Sequence, residues 1–151
     1  MDAMKLLEQD HRKVKELLQE GEETTERATT RRPELLTELL TELRIHETIE
    51  EEIFYPALEE HAKTKDIALE GYEEHHAVDR IAEELVVLDP SDETWTAKFT
   101  VMKENIEHHI EEEEGEMFPK ARQVLDDDEL EEIATSMEAR REELRSQAAT
   151  S

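Results

Sequence analysis

The segments HETIEEEIFYP, His46–Pro56, and HIEEEEGEMFP, His109–Pro119, decide how this chain folds. Each sets a His and a Glu four residues apart, then an aromatic residue, then a Pro ten residues after the His. A spacing of four puts both side chains on one face of an α-helix, about one turn apart. Working outward, the helical period continues. Leu36, Leu39 and Leu43 lead into His46, Glu50, Ile53 and Phe54, and Phe99, Met102 and Ile106 lead into His109, Glu113 and Met117. Met4, Leu7, His11, Val14 and Leu18 form a third stripe, and Ala68, Tyr72, His75, Val78, Ala82 and Leu85 a fourth. This periodicity predicts helices over roughly 2–20, 33–60, 64–88 and 92–116, with no strand. Pro33 suits a first helical turn, and Ser91 or Asp92, within the break DPSDE, can cap the fourth helix. Leu130, Ile133 and Met137 predict a C-terminal helix that braces the bundle. The expected fold is all-α: an up-down-up-down four-helix bundle over 1–125, then an additional C-terminal helix and short tail over 126–151.

Composition removes several function classes. Forty-three acidic against eighteen basic residues give a net charge of −25, which repels nucleic acid and anionic membrane surfaces. It also favours a monomer or small homo-oligomer. There is no Cys, hence no disulfide, thiolate metal site or Cys nucleophile. Three glycines form no phosphate-binding loop. No apolar run is long enough to span a bilayer, and the acidic, amphipathic start MDAMKLLEQDH does not read as a signal peptide. A soluble, cytoplasmic protein is expected.

The polar members of the stripes carry the chemistry. His11, His46, Glu50, His75, His109 and Glu113 occupy positions where a core residue belongs. His11 and His75 lie in the first halves of the first and third helices, whereas the His–Glu pairs lie toward the ends of the second and fourth. In an up-down bundle those regions meet at one end, so all six converge on one level. Buried together without a cation they would carry a heavy desolvation cost, which direct coordination offsets. Imidazole and carboxylate without sulfur suit iron, manganese or zinc, and two carboxylates from different helices can bridge a pair of ions. The six are therefore the candidate metal ligands.

With these residues in place, the chain resembles the hemerythrin-like (HHE cation-binding) family over nearly its full length. The family pattern H…HxxxE…H…HxxxE, with an aromatic-Pro pair closing the second and fourth helices, is matched by His11, His46 and Glu50 before FYP, His75 in EEHHAVD, and His109 and Glu113 before MFP. The resemblance implies a left-handed-twisted bundle holding two iron ions (Fe2+/Fe3+), oxo- or hydroxo-bridged, with Glu50 and Glu113 bridging and the four histidines terminal; zinc or manganese are the other cations such ligands take. It implies a non-haem di-iron protein that binds, senses or detoxifies dioxygen, peroxide or nitric oxide, a binding or sensing role ahead of a dedicated enzyme. The founding oxygen carriers have a second His four residues after the third-helix ligand, where this chain has Asp79. Asp79 and Glu47 are additional candidate ligands. A site richer in oxygen ligands favours the oxidised iron pair over stable dioxygen carriage.

Two other readings compete. A ferritin-like iron oxidase or store needs ExxH pairs, formally present at Glu8/His11 and Glu73/His76. A metal-free structural bundle would be indifferent to chelators. The remaining positions have plainer expectations. His76 and His108 point away from the interior, and His61 is solvated. Phe54 and Met117 cap the site, Tyr55 and Phe118 pack the bundle end without a chemical role, Trp95 anchors the core, and the Glu runs at 50–52 and 111–114 are solvated apart from Glu50 and Glu113.

Overall fold

The computed structural model describes residues 2–150, and helix is its only regular structure among them. Four rods form the bundle. The first is α1 (Ala3–Glu22). The second is α2 (Arg31–Ile49), a π turn (Glu50–Phe54) and α3 (Tyr55–Glu59) in series. The third is α4 (Ala62–Val86). The fourth is α5 (Glu93–Glu112), a second π turn (Glu113–Met117) and α6 (Phe118–Val124). A fifth helix, α7 (Asp127–Thr150), packs along α1, α2 and the first π turn. No helix among the described residues is long and apolar enough to cross a membrane.

Side-chain caps set several helix starts, each satisfying an otherwise orphaned backbone N–H. The Asp2 carboxylate accepts from the Lys5 amide at 2.9 Å, and Asp92 from the Thr94 amide at 2.8 Å. Asp126 and Glu129 form a reciprocal capping box: each side chain accepts from the other's amide, at 2.8 and 3.1 Å.

The two π turns are the departure from the expected continuous α-helices. Each precedes a proline. Pro56 and Pro119 lack an N–H, and their rings would crowd the carbonyl four residues back in an α-helix. Widening to i→i−5 bonding relieves this: the Tyr55 amide bonds to the Glu50 carbonyl and the Phe118 amide to the Glu113 carbonyl. The extra residue rotates the rest of each rod by one position.

The interior is two apolar clusters with a polar level between them. One gathers Val14, Leu18, Leu39, Leu43, Val78, Phe99, Ile106 and their neighbours. The other gathers Met4, Leu7, Ile49, Phe54, Leu58, Met117, Phe118, Leu130 and Met137 among others. Trp95 is a core anchor as expected, 2 % exposed and stacked on Phe99 at 5.1 Å. The guanidinium of buried Arg32 lies over its ring at 4.1 Å and donates to the Pro90 carbonyl at 2.7 Å, binding two loops together at this end.

Candidate metal centre

All six expected residues are buried in the level between the clusters. They fall into two three-residue groups, His11/His46/Glu113 and Glu50/His75/His109, in each of which one ligand atom per residue lies within 4.8 Å of the others. The groups are joined by their carboxylates. Glu113 sets Oε1 2.9 Å from His11 Nε2 and 3.9 Å from His46 Nε2, while its Oε2 is 3.4 Å from His109 Nε2. Oε1 of Glu50 lies 3.1 Å from Nε2 of both His46 and His75. Each carboxylate thus reaches both groups.

Behind each imidazole stands a further carboxylate. The Nδ1 of His11 donates to Glu114 at 2.6 Å, that of His46 to Asp10 at 2.9 Å, that of His75 to Glu51 at 2.7 Å and that of His109 to Glu74 at 2.7 Å. A carboxylate on Nδ1 fixes ring orientation and directs Nε2 inward, the arrangement that metal-ligating histidines use. Glu51 and Glu114 are therefore not merely solvated members of Glu runs. The spacing of the runs holds no signal for this, because Glu is everywhere in them.

Tyr55 corrects a second expectation. Its hydroxyl donates to Glu113 Oε2 at 2.6 Å and lies 3.3 Å from His109 Nε2. Phe118, its counterpart on the fourth rod, lies parallel to the His11 ring at 6.0 Å. Both pack in the apolar cluster at this end, the role the helical period assigns them, but Tyr55 also donates a hydrogen bond into the site. The π turns bring them onto the inward stripe, five residues beyond Glu50 and Glu113, and Phe54 and Met117 pack in the same apolar cluster. A π turn before each proline is the signal that would have found them.

Tyr55 has little room to move. A Cβ at Gly71 would stand 2.8 Å from its Cε2, Cζ and hydroxyl oxygen, and the ring stacks on His75 at 5.5 Å. Gly71→Ala gains about 1 kcal/mol of helix propensity, but overpacking a rigid core costs about 1–3 kcal/mol. The expected outcome is a net loss of stability, read in a denaturant melt, with the Tyr55 hydroxyl pushed off Glu113.

Imidazoles and carboxylates in this level shift one another's pKa values. Burial alone would lower the pKa of His46 and His109. The charge of Glu50 on the first and of Glu113 on the second, with the hydrogen bonds to Asp10 and Glu74, outweighs it and raises both well above the ordinary value. His75 is likewise raised to about 9, its hydrogen bonds to Glu50 and Glu51 overcoming burial. Glu113 is held well below the carboxylate range because His109 and its other imidazole partners overcome its own burial. Burial, then the neighbouring Asp79, pushes Glu47 up to about 8.

These directions predict how the chelated protein responds to pH. The stability that His75 contributes is complete below its unfolded value near 6.5 and disappears as pH rises through about 9. Glu47 ionises near 4.5 when unfolded and near 8 when folded, so it too lowers stability between those values. The metal-free chain should therefore lose on the order of 5 °C of melting temperature between mildly acidic pH and pH ~9, and the metal-loaded chain less.

The donor set fits divalent cations. Nε2 of His46 and Oε2 of Glu50 are buried without a hydrogen-bond partner, a costly state for two polar atoms that coordination would relieve. Nitrogen and oxygen donors without sulfur match iron, manganese or zinc. Glu47 joins Glu51 and His75 in a further group. Asp79 stands beside Glu47 and belongs to no such group among the described residues. His76 and His108 point outward, their side chains 59 % and 65 % exposed, and His61 is partly exposed at the start of α4. Glu73, the partner His76 would need in a ferritin-type pair, is 80 % exposed. That alternative loses one of its two ExxH pairs.

A cavity of about 20 Å³ adjoins the site, lined by the four inward histidines, Glu47, Glu74 and the apolar side chains of Val14, Leu43, Val78, Ile106 and Ile110. A space of about 10–15 Å³ suffices for one water-sized molecule.

Comparisons with known proteins agree with this geometry. A family model described as the hemerythrin HHE cation binding domain matches residues 2–121. The crystal structure of an HHE cation binding domain-containing protein from Mycobacterium kansasii superposes with a TM-score of 0.86 at 34 % identity, covering 99 % of this chain and 91 % of that one. No curated protein matches. Four buried histidines and two spanning glutamates at one level of a helical bundle, together with these matches, make the assignment: the chain belongs to the hemerythrin HHE cation-binding domain family.

Proposed function

We propose that this chain is a non-haem di-iron protein that binds or reacts with a small oxygen or nitrogen species: dioxygen, peroxide or nitric oxide. His11, His46 and Glu113 would hold one cation and Glu50, His75 and His109 the other, with both glutamates spanning the pair. The observation that carries the reading is the joining of two three-residue groups by two carboxylates beside a cavity of about 20 Å³. That volume suits a ligand of two or three atoms and no larger organic substrate.

Iron, when bound, supplies the redox chemistry; the residues supply its setting. The carboxylates on Nδ1 orient the four imidazoles and strengthen them as donors. Val14, Leu43, Val78, Ile106 and Ile110 keep bulk water from the cavity. The Tyr55 hydroxyl holds a proton at Glu113 Oε2, and burial, then the charge of Glu113 and Glu50, raises its pKa well above the usual phenol value. It stays protonated and acts as a hydrogen-bond donor to that carboxylate.

Elemental analysis with visible spectroscopy tests the reading. Two irons per chain, and a spectrum of the reduced protein that changes on adding dioxygen, peroxide or nitric oxide anaerobically one at a time, are expected. A chain that takes up no iron, or whose spectrum none of the three alters, would refute it.

A further inference from the structure

The four carboxylates behind the histidines are not alike. Glu114, Glu51 and Glu74 have side chains 36 %, 32 % and 28 % exposed, so water shares their charge. Asp10 is only 10 % exposed and needs a cation from the protein. Arg141 supplies it. Reaching in from α7, its Nη2 donates to Asp10 Oδ1 at 2.6 Å, while Asp10 Oδ2 accepts from His46 Nδ1 at 2.9 Å. Arg141 is itself 12 % exposed, with Nε buried and unpartnered, so its place is set by this one contact and by packing. The family match ends at residue 121, short of α7.

We propose that Arg141 is a positioning residue for the cation held by His11, His46 and Glu113, and that α7 is thereby a working part of the metal centre. The proposal rests on the function proposed above. Arg141 pins the Asp10 carboxylate in the orientation that accepts from Nδ1, and this keeps His46 Nε2 aimed at its cation. Without it, a buried carboxylate lacking a counter-charge turns toward water, and the imidazole loses its orienting partner. The other group, Glu50, His75 and His109, draws on Glu51 and Glu74 and has no such dependence. Coupling is reciprocal, so filling the site also holds α7 against the bundle.

Full-length wild type, Arg141→Met, Arg141→Lys and Arg140→Met would be titrated with Fe2+ without oxygen, and each cation's affinity measured by chelator competition. Arg140 is the control: on the same helix it pairs with Glu52 at 2.9 and 3.2 Å and does not touch Asp10. Arg141→Met should weaken one of two cations by about tenfold or more and leave the other unchanged. Arg141→Lys should recover most of that loss, and Arg140→Met should bind as wild type. In an Asp10→Asn background, Arg141→Met should add nothing, because the path is already cut. Wild-type affinities in Arg141→Met, or equal weakening in Arg140→Met, overturn the proposal. If Arg141→Met does not fold, Asp10→Asn alone carries the test: it must weaken the same single cation, and unchanged binding overturns the idea. A wild-type chain that binds no Fe2+ overturns the function itself, a result distinct from two cations held equally in every variant.

Discussion

Stripping the cations with a chelator should lower the melting temperature by about 10 °C or more. A ligand that binds only the folded chain stabilises it by about 4 kcal/mol at a thousandfold excess over Kd, and for a domain of this length each kcal/mol moves the midpoint by about 2–4 °C. With two cations, as proposed, the figure is a floor. Two atoms bear the loss: Glu50 Oε2 and His46 Nε2, both buried without a hydrogen-bond partner. Protons on the histidines offset part of the loss near neutral pH, so the difference should widen toward pH ~9. Circular dichroism melts with and without chelator, at matched ionic strength, decide it. Coincident curves would return the chain to the class of metal-free structural bundles.

The second large effect is expected from Glu113→Gln, which should weaken both cations rather than one. The substitution keeps the volume and removes the charge. Glu113 turns one oxygen to His11 and His46 and the other to His109 and the Tyr55 hydroxyl, so it belongs to both halves. Losses for groups one step behind the ligands run to about 10–100-fold; a spanning ligand should exceed that for each cation. His108→Ala on the same rod is the comparison, since its side chain is exposed and its ion pair is with Glu112. Metal per chain after desalting is the measurement. Two tightly held cations in Glu113→Gln would remove this residue from the ligand set.

The rods and the six inward polar residues are legible in the sequence because both follow from one rule, the period of 3.6. His11, His46, Glu50, His75, His109 and Glu113 each sit in register with apolar neighbours on a regular stretch, and the prolines mark the end at which the level lies. The same rule misplaces Tyr55 and Phe118. They come after π turns, where one more residue per turn carries i+5 to the face that i+4 would take. Arg141 and Asp10 are illegible for a different reason. Their pairing depends on how α7 crosses α1, and stripes such as Leu130, Ile133 and Met137 fix the buried face of a helix but not what its arginines reach. Glu51, Glu74 and Glu114 are hidden by abundance: in a chain with forty-three acidic residues, which ones turn toward a histidine is a matter of rotation about the helix axis by less than a residue.

The polar level between the two apolar clusters has a consequence for how such a chain can change over generations. A bundle selected only for sturdiness would run leucine through that layer and join the clusters into one, since apolar substitutes for buried charges are often neutral or stabilising. Single steps toward such a bundle are closed, because removing one of the six strands a buried charge that its neighbours had paired, at a cost of about 3–5 kcal/mol. The hydrophilic seam is therefore kept or lost as a set, and only replacing several of its members together would turn the interior oily throughout.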